Sequence, residues 1–250
     1  MNISKRINKI PPYLFFEISK KIKKAQSEGR DIVDFGIGDP DIPTPDFIVD
    51  ALIDEAKNPV NHQYPESDGM PELREAIANW YKKRFDVDLD PSSEVISLIG
   101  AKEGVGHAAF AFLDPGDIAL VPDPHYPVYS RGTWFAGAEC HFMPLMEKNN
   151  FLPDLAAIPD NVIRKSKVMW INYPNNPTGA IADDKFYNEV IEFGINNNII
   201  ILHDAAYSEI TFDGYRAPSI MEFPKAKDIS IEFHSLSKAY NMTGWRVGSV

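Results

Sequence analysis

The sequence contains a single cysteine, Cys140, among its 250 residues. One thiol can form neither an internal disulfide nor a cysteine-based zinc site, so a reducing cytoplasm is the simplest location, and Cys140 is expected to be a core residue of a strand. Basic residues are also few, since 25 Lys and Arg stand against 36 Asp and Glu, for a net charge of −11. This balance, without any basic run, argues against nucleic acid or an anionic membrane as a main partner.

Long apolar runs are missing as well. The basic N-terminal stretch is followed only by a short apolar patch around residues 13–16, so we predict neither a signal peptide nor a membrane span. Hydrophobic residues nevertheless make up 44% of the chain, which is enough for one large α/β domain or two small ones.

The first part of the chain predicts mainly helices. An arm leads into a helix that ends at Gly29, a short strand follows from residue 31, and Pro45 opens a second helix. The apolar face of the first helix consists of Phe15, Ile18, Ile22 and Ala25. The second helix is expected to bury Phe47, Ile48, Ala51, Leu52 and Ala56. A third, strongly amphipathic helix ends near Phe85.

From residue 94 onward, strands alternate with helices. The predicted strands are 94–100, 117–121, 138–145, 167–174, 199–204 and 229–235, and the predicted helices are 101–113, 128–135 and 183–196. Continuous apolar runs, such as residues 199–202, are typical of strands that are covered on both faces. The pattern predicts an α/β fold with three layers, in which helices cover both faces of a mostly parallel sheet.

Ligands of such sheets bind at the carboxyl ends of the strands, so the residues that follow each strand are the candidates for chemistry. Residues 100–104 form a small-residue turn into a helix, which suits a phosphate, although neither a nucleotide P-loop nor a dinucleotide fingerprint is present. Tyr126 lies on a proline-bracketed loop and can stack on a flat ring, or simply pack on the turn. We interpret His125 beside it as a loop residue rather than a catalytic one.

Two further strand ends carry polar side chains. Asn176 belongs to the turn at 175–179 and supplies an amide. Asp204 ends a buried strand, where a carboxylate is unfavourable unless it meets a cation or strong donors. A protonated pyridine nitrogen would be such a partner, and a helix N-cap is the alternative. Tyr207 adds a phenol three positions later.

The last predicted strand leads into Lys238. Ser235 and Ser237 precede this lysine, and Arg246 follows eight positions later. The amine can form a Schiff base with an aldehyde cofactor, while the hydroxyls and the guanidinium can hold its phosphate. A solvated loop lysine is the alternative, but it does not explain the polar groups at the other strand ends.

This set of motifs resembles that of the class I/II aminotransferases, the fold-type I family that depends on pyridoxal 5′-phosphate. The resemblance rests on NNPTG at 175–179, on Asp204 with Tyr207, and on SLSK with Arg246. The stretches LIGAKEG, VPDPHYPVY, NNFLPDL and FHSLSKAYNMTGWRVG are similar to the LL-diaminopimelate aminotransferase subgroup. The resemblance covers essentially the whole chain. It implies an N-terminal arm and part of a small domain over 1–45, and a large cofactor-binding domain over 46–250.

The resemblance also implies a role for each candidate residue. Lys238, Asp204 and Tyr207 would be catalytic, with Lys238 bound covalently to pyridoxal 5′-phosphate and Asp204 paired with its ring nitrogen. Tyr126 would stack on the ring, and Tyr207 and Asn176 would bond its oxygen through a turn with a cis Asn176–Pro177 bond. The implied phosphate ligands are Ala101, Lys102, Ser235, Ser237 and Arg246. The implied substrate contacts are Tyr13, Gly38, Lys102, Tyr126 and Asn176.

Tyr64 resembles the family tyrosine that reaches the partner subunit's phosphate, which implies a homodimer with a shared active site. Two departures from the family stand out. His125 replaces a small residue and is expected to alter the edge of the pocket. Family members also continue beyond a position equivalent to Val250, and these residues supply the final antiparallel strand and the arginine that binds the substrate α-carboxylate. We therefore expect this chain to be a fragment or a split half that binds cofactor weakly and does not turn over amino acids.

The leading hypothesis is transfer of an amino group from LL-2,6-diaminopimelate to 2-oxoglutarate in lysine biosynthesis. The alternatives are an aminotransferase for alanine, aspartate or an aromatic amino acid, a cystathionine-type lyase, and a non-catalytic fragment that binds pyridoxal phosphate. The sequence leaves the choice of amino-acid substrate open.

Overall fold

The computed structural model describes residues 3–12, 14–35 and 38–250. Its helices are α1 (Leu14–Ser27), α2 (Asp46–Ala56), α3 (Pro71–Phe85), α4 (Ala101–Phe112), α5 (Val128–Ala136), α6 (Asp160–Ile163), α7 (Asp184–Asn197), α8 (Ala226–Ile229) and α9 (Leu236–Ala239). Its strands are β1 (Ser97–Leu98), β2 (Ile118–Asp123), β3 (Glu139–Pro144), β4 (Ser166–Ile171), β5 (Ile200–Asp204), β6 (Ser230–Ser235) and β7 (Gly248–Ser249).

The strands form one seven-stranded sheet in the order β1-β7-β6-β5-β4-β2-β3. The five strands from β6 to β3 are parallel to one another, whereas β7 runs antiparallel to both β1 and β6. One face is covered by α7, which packs Phe186 and Val190 against the sheet. The other face is covered by α4 and α5, through residues such as Val105 and Tyr129. The predicted three-layer α/β fold is confirmed.

Central strands form where the sequence offers continuous apolar runs. In β4, Val168 to Ile171 are all at most 1% exposed, because both faces of the strand are covered by helices. Helix α7 begins where the Asp183 carboxylate accepts a hydrogen bond from the Phe186 N–H at 2.9 Å. It ends at Asn198, whose φ of 54° is left-handed. None of the helices in the described ranges has both the length and the apolar composition needed to cross a membrane.

The N-terminal predictions were partly wrong. Residues 31–35 form no strand, and Val33 and Phe35 are 76% and 91% exposed. A strand needs a neighbour, and this segment has none in the described part of the chain. Helix α2 forms as predicted after Pro45, but none of its residues is buried, and Phe47 is 71% exposed. In α1, Ile18, Ile22 and Ala25 are half-buried, while the side chain of Phe15 is outside the described part.

The sheet edge also differs from the prediction. Strand β1 contains only Ser97 and Leu98 rather than residues 94–100. The antiparallel strand was expected beyond Val250, yet β7 lies within the chain and fills the space between β1 and β6. It enters this narrow gap because Gly248 has no side chain: a Cβ atom there would lie 2.8 Å from the His234 carbonyl oxygen. The domain boundary at residue 45 stays a prediction.

Candidate functional site

The carboxyl ends of the parallel strands meet beside the first turn of α4 and enclose a cleft of about 760 Å³. Most of the predicted site residues line this cleft, namely Gly38, Ala101, Lys102, Tyr126, Asn176, Asp204, Tyr207, Ser235, Ser237, Lys238 and Arg246. They come from six separate segments of the chain. Their convergence follows from the parallel topology, since every parallel strand ends at the same edge of the sheet.

Asp204 lies at the end of β5 and is 7% exposed. The Tyr129 hydroxyl donates a hydrogen bond to its Oδ2 at 2.7 Å, and the Ala206 N–H donates to Oδ1 at 3.4 Å. Burial raises the pKa of the Asp204 carboxyl above its ordinary value, although the bond from Tyr129 acts in the opposite direction. Both of these donors are neutral groups. The buried carboxylate can therefore still pair with a positively charged partner.

Two asparagines fix the loop after β4. The Asn176 N–H donates to Asn172 Oδ1 at 2.8 Å, and the Asn172 amide donates to the Asp204 carbonyl oxygen at 2.7 Å. The Asn176 amide in turn donates to the Tyr207 hydroxyl at 3.3 Å. The predicted cis bond between Asn176 and Pro177 is confirmed. Burial, followed by the charge of Asp204, raises the pKa of Tyr207, so the phenol remains protonated at neutral pH.

Lys238 is placed in the cleft by the short helix α9. The Ser235 hydroxyl caps this helix by accepting a hydrogen bond from the Ser237 N–H at 3.2 Å. The lysine Nζ lies 3.5 Å from Asp39 Oδ1, and its side chain is 21% exposed. The segment that carries Asp39 is tied to the same region, because the Thr44 hydroxyl donates to the Asn241 carbonyl oxygen at 2.7 Å.

Arg246 lies against the turn that begins α4. Its Nη1 donates to the Ser237 hydroxyl at 3.4 Å and to the Thr243 carbonyl oxygen at 3.0 Å. Gly100 has a φ of +74°, and a Cβ atom at this position would collide with Nη2 of Arg246. The guanidinium therefore reaches the N-terminus of a twelve-residue helix, where the N–H groups of the first turn and the helix dipole favour an anion.

These groups fit the cofactor that the resemblance implies. Backbone N–H groups, hydroxyls and a guanidinium gather at one end of the cleft, and they are the donors that a phosphate requires. A buried carboxylate lies on the floor, where a ring nitrogen needs an anion, and the primary amine of Lys238 projects into the same space. Pyridoxal 5′-phosphate presents this combination of phosphate, protonated pyridine nitrogen and aldehyde.

Two of the predicted residues do not line the cleft, and a third lies outside the described part of the chain. Tyr64 is fully exposed, and Tyr13 lies outside the described residues. His125 is half-buried, and its Nε2 lies 2.8 Å from the Ser130 hydroxyl. Its ring packs 5.4 Å from that of Phe142, so His125 faces strand β3 rather than the edge of the cleft.

Sequence reasoning missed three residues that the cleft contains. Asn172 is the first polar residue after β4, a signal that the prediction could have used. Tyr129 lies three positions after Tyr126, which places it one helical turn further on, but only the fold shows that it reaches Asp204. Asp39 is 199 positions away from Lys238, and no local pattern connects them.

Comparisons with known proteins agree with this geometry. A family model described as aminotransferase class I and II matches residues 30–250. An LL-diaminopimelate aminotransferase of Moorella thermoacetica is 58% identical over 248 residues, which are 99% of this chain and 64% of that protein. The LL-diaminopimelate aminotransferase of Aquifex aeolicus is 54% identical over 98% of this chain and 63% of its own length.

Solved structures give the same result. Substrate-bound BacF from Bacillus subtilis has a TM-score of 0.93 at 41% identity, over 100% of this chain and 63% of that one. A probable N-succinyldiaminopimelate aminotransferase from Thermus thermophilus has a TM-score of 0.89 at 36% identity, over 95% of this chain and 64% of that one. The chain thus spans 64% of the length of curated relatives such as the Moorella protein. By its family match, its relatives and its fold, the chain belongs to the class I and II aminotransferases.

Proposed function

We propose that this chain forms part of an enzyme that uses pyridoxal 5′-phosphate to transfer an amino group from LL-2,6-diaminopimelate to 2-oxoglutarate. The observation that carries the reaction type is the cleft, in which Lys238, Asp204 and Arg246 lie together. The substrate is supported by the names of the curated relatives, which are 53% to 58% identical over almost the whole chain. The proposal includes a cytoplasmic homodimer, in which the fully exposed Tyr64 reaches the partner subunit's phosphate site.

The bound cofactor supplies an aldehyde that condenses with amines and a ring that withdraws electrons from the substrate carbon. The Lys238 amine holds the cofactor and, when released, moves the proton from the substrate Cα. Asp204 holds a proton on the ring nitrogen through its negative charge. Tyr207 and Asn176 bond the ring oxygen, and Tyr126 covers the ring face.

The remaining residues bind charge. The backbone N–H of Ala101, the hydroxyls of Ser235 and Ser237, and the Arg246 guanidinium hold the phosphate group. Lys102, the second residue of α4, lines the cleft and contributes positive charge to the phosphate or to a distal carboxylate of the substrate. Gly38 lies at the rim and lets the substrate backbone approach, since no atom lies within 4 Å of the position that its Cβ would occupy. Tyr13 completes the proposed set of substrate contacts.

The test uses the natural full-length protein loaded with pyridoxal 5′-phosphate. LL-2,6-diaminopimelate should act as amino donor to 2-oxoglutarate, with glutamate formation as the readout. Borohydride reduction should fix the cofactor on the peptide that contains Lys238, and Lys238→Ala should lose both the adduct and the activity. Lys227→Ala is the matched control, because Lys227 binds Glu94 on the surface away from the cleft.

The outcomes separate the parts of the proposal. Activity with alanine, aspartate or an aromatic amino acid, but not with LL-2,6-diaminopimelate, would refute the substrate and keep the reaction type. An adduct that persists in Lys238→Ala would refute the assignment of the lysine. Cofactor binding without transfer from any amino acid would leave the non-catalytic alternative.

A further inference from the structure

A buried carboxylate behind the cleft gathers five polar groups. Glu232 lies on β6, and its side chain is 1% exposed. Its Oε2 is approached by the Tyr81 hydroxyl at 2.8 Å, the Ser219 hydroxyl at 2.6 Å and His234 Nε2 at 3.2 Å. Its Oε1 is approached by the Ile220 N–H at 3.0 Å and His203 Nδ1 at 2.8 Å. These residues connect β5, β6, α3 and the segment at 219–220.

The donors around Glu232 indicate that its carboxyl group is ionised. Every acceptor position of its two oxygens faces a group that can donate, so a proton on the carboxyl would point at another donor. Burial by itself raises the pKa of Glu232, but hydrogen bonds from His203 and His234 and their charges outweigh it and hold the pKa well below its ordinary value. Glu232 is therefore an anion in the folded protein.

His203 is bonded to an acceptor at each ring nitrogen. Nδ1 faces the Glu232 carboxylate at 2.8 Å, and Nε2 faces the Tyr173 carbonyl oxygen at 3.3 Å. A carboxylate and a carbonyl oxygen can only accept, so each ring nitrogen must carry a proton. His234 differs, because its Nδ1 meets the Ser208 hydroxyl at 3.5 Å, and a hydroxyl can donate. The partners of His234 can be satisfied by a neutral or by a protonated ring, whereas both partners of His203 are satisfied only by the imidazolium.

Among the described residues, Glu232 is the carboxylate that contacts the His203 ring directly. Glu232 reaches it from β6, and the ring of Tyr187 on α7 packs against it at 5.5 Å. Tyr81 and His234 lie beyond the Glu232 carboxylate, and Asp204 follows on the same strand. His203 is 0% exposed, so its charge is not screened by solvent.

We propose that His203, with both ring nitrogens donating to acceptors, is a positively charged positioning residue that keeps Asp204 anionic from the opposite face of β5. Consecutive side chains of a strand alternate, so His203 meets α7 while Asp204 meets Tyr129 of α5 on the other side of the sheet. Burial favours the neutral carboxyl at Asp204, and a fixed cation one residue away favours the carboxylate. The pairing of Asp204 with the ring nitrogen of the cofactor rests on the proposed function, whereas the charge of His203 does not.

The charge is tested by ¹⁵N NMR of the full-length holoenzyme with labelled histidine. Both ring nitrogens of His203 should carry protons in the unmodified protein, because each faces an acceptor. Glu232→Gln, which removes the anion, should leave the His203 ring with a single proton in the same buffer. A singly protonated His203 ring in the unmodified protein would overturn the proposal, whether or not the enzyme transfers amino groups.

The action on Asp204 is tested by a double-mutant cycle on cofactor affinity. His203→Gln should weaken the binding of pyridoxal 5′-phosphate about tenfold, the change that corresponds to one pKa unit at Asp204. In an Asp204→Asn background, the same substitution should change the affinity by less than about twofold. Equal losses in both backgrounds would mean that His203 has only a structural role. His107→Gln, on the exposed side of α4, is the control for loss of a histidine.

Discussion

Asp204 combines two properties that oppose each other in a folded protein. Its carboxylate is buried at the end of β5, which disfavours the charge, and its proposed partner is a cation, which requires the charge. In the protein without cofactor, the Tyr129 hydroxyl, the Ala206 N–H and the neighbouring residues His203 and His234 favour the ionised form. The buried Asp204 carboxylate thus lowers the stability of the cofactor-free protein but favours the binding of a cation.

Replacing Asp204 by Asn should separate the effect of the carboxylate on stability from its effect on catalysis. Because the folded-state pKa of Asp204 is raised, its favourable contribution to stability is present below the unfolded value of about 3.9 and is lost as pH rises through the folded value. At neutral pH the cofactor-free Asn variant should therefore melt at a higher temperature than the parent. Its kcat/KM should fall roughly a hundredfold or more, which corresponds to a loss of about 3 kcal/mol in transition-state stabilisation. The reason is that the ring nitrogen of the proposed cofactor would lose its counter-ion.

Asp228→Asn, at an exposed position of α8, is the control, and it should change neither quantity measurably. Calorimetry and steady-state kinetics on the same preparations supply the two readouts. An Asp204→Asn variant with near-normal turnover would contradict the role of the carboxylate, and a less stable apoprotein would contradict the account of its burial.

The element that closes the sheet is β7, two residues long. Ile96 and Val250 extend the pairing between β1 and β7. The Ile96 N–H donates to the Val250 carbonyl oxygen at 2.8 Å, and the Val250 N–H donates to the Ile96 carbonyl oxygen at 3.0 Å. Gly248 lies where the backbones of β6 and α4 come closest, since a Cβ there would be 2.5 Å from the Ala101 nitrogen. The contacts of this short strand therefore couple the segment that carries Lys238 to the first turn of α4.

Gly248→Ala should accordingly destabilise the fold. The neighbouring atoms are backbone and cannot rotate away, so we expect a loss of about 1 to 3 kcal/mol in the free energy of unfolding, measured by urea titration. Gly244→Ala is the matched control in the same segment, because its added methyl meets no atom within 4 Å. Similar losses in both variants would show that the close approach at Gly248 is not the cause.

Elements whose residues carry their own pattern were predicted correctly. The apolar runs of β4 and β5 identify buried strands without knowledge of their neighbours, and the polar residues after them fall at one edge because the sheet is parallel. Strand β7 could not be predicted, because Gly248 and Ser249 carry no apolar alternation and their pairing is decided by distant residues. For α2 the sequence pattern was clear and burial of its apolar side was predicted, but none of its residues is buried in the described structure.

At the scale of the whole molecule, Glu232 links parts of the chain that are far apart in sequence. Tyr81 on α3, Ser219 and His203 all reach this carboxylate. Removing one partner of a buried charge pair leaves the other without compensation, which is unfavourable by several kcal/mol. Glu232 therefore holds α3 and the loop at 219–220 against the sheet.

The stability of the protein in acid should reflect this carboxylate. The pKa of Glu232 is depressed, because bonds from His203 and His234 outweigh burial, so its contribution is present above the unfolded value of about 4.3 and is lost as pH falls through the folded value. Glu232→Gln should lower the free energy of unfolding by about 3 to 5 kcal/mol at neutral pH. It should also flatten the loss of stability below about pH 4.

Glu94→Gln is the control, because Glu94 pairs with Lys227 near the surface and such pairs contribute about 1 kcal/mol or less. Urea titrations at a series of pH values measure both effects. Parallel pH profiles for the parent and for Glu232→Gln would show that another group governs the response to acid.

The pairing of β1 with β7 also sets an order of events during synthesis. Ser97 lies opposite Ser249, so more than half of the 250 residues separate the two partners. At ribosomal rates of roughly 5 to 20 residues per second, the growing chain must wait on the order of 10 to 30 seconds between them. Over that interval Ser97 and Leu98 lack the strand with which they pair in the described sheet. The edge of the sheet beside the first turn of α4 is thus completed only after residues 248 and 249 have been synthesised.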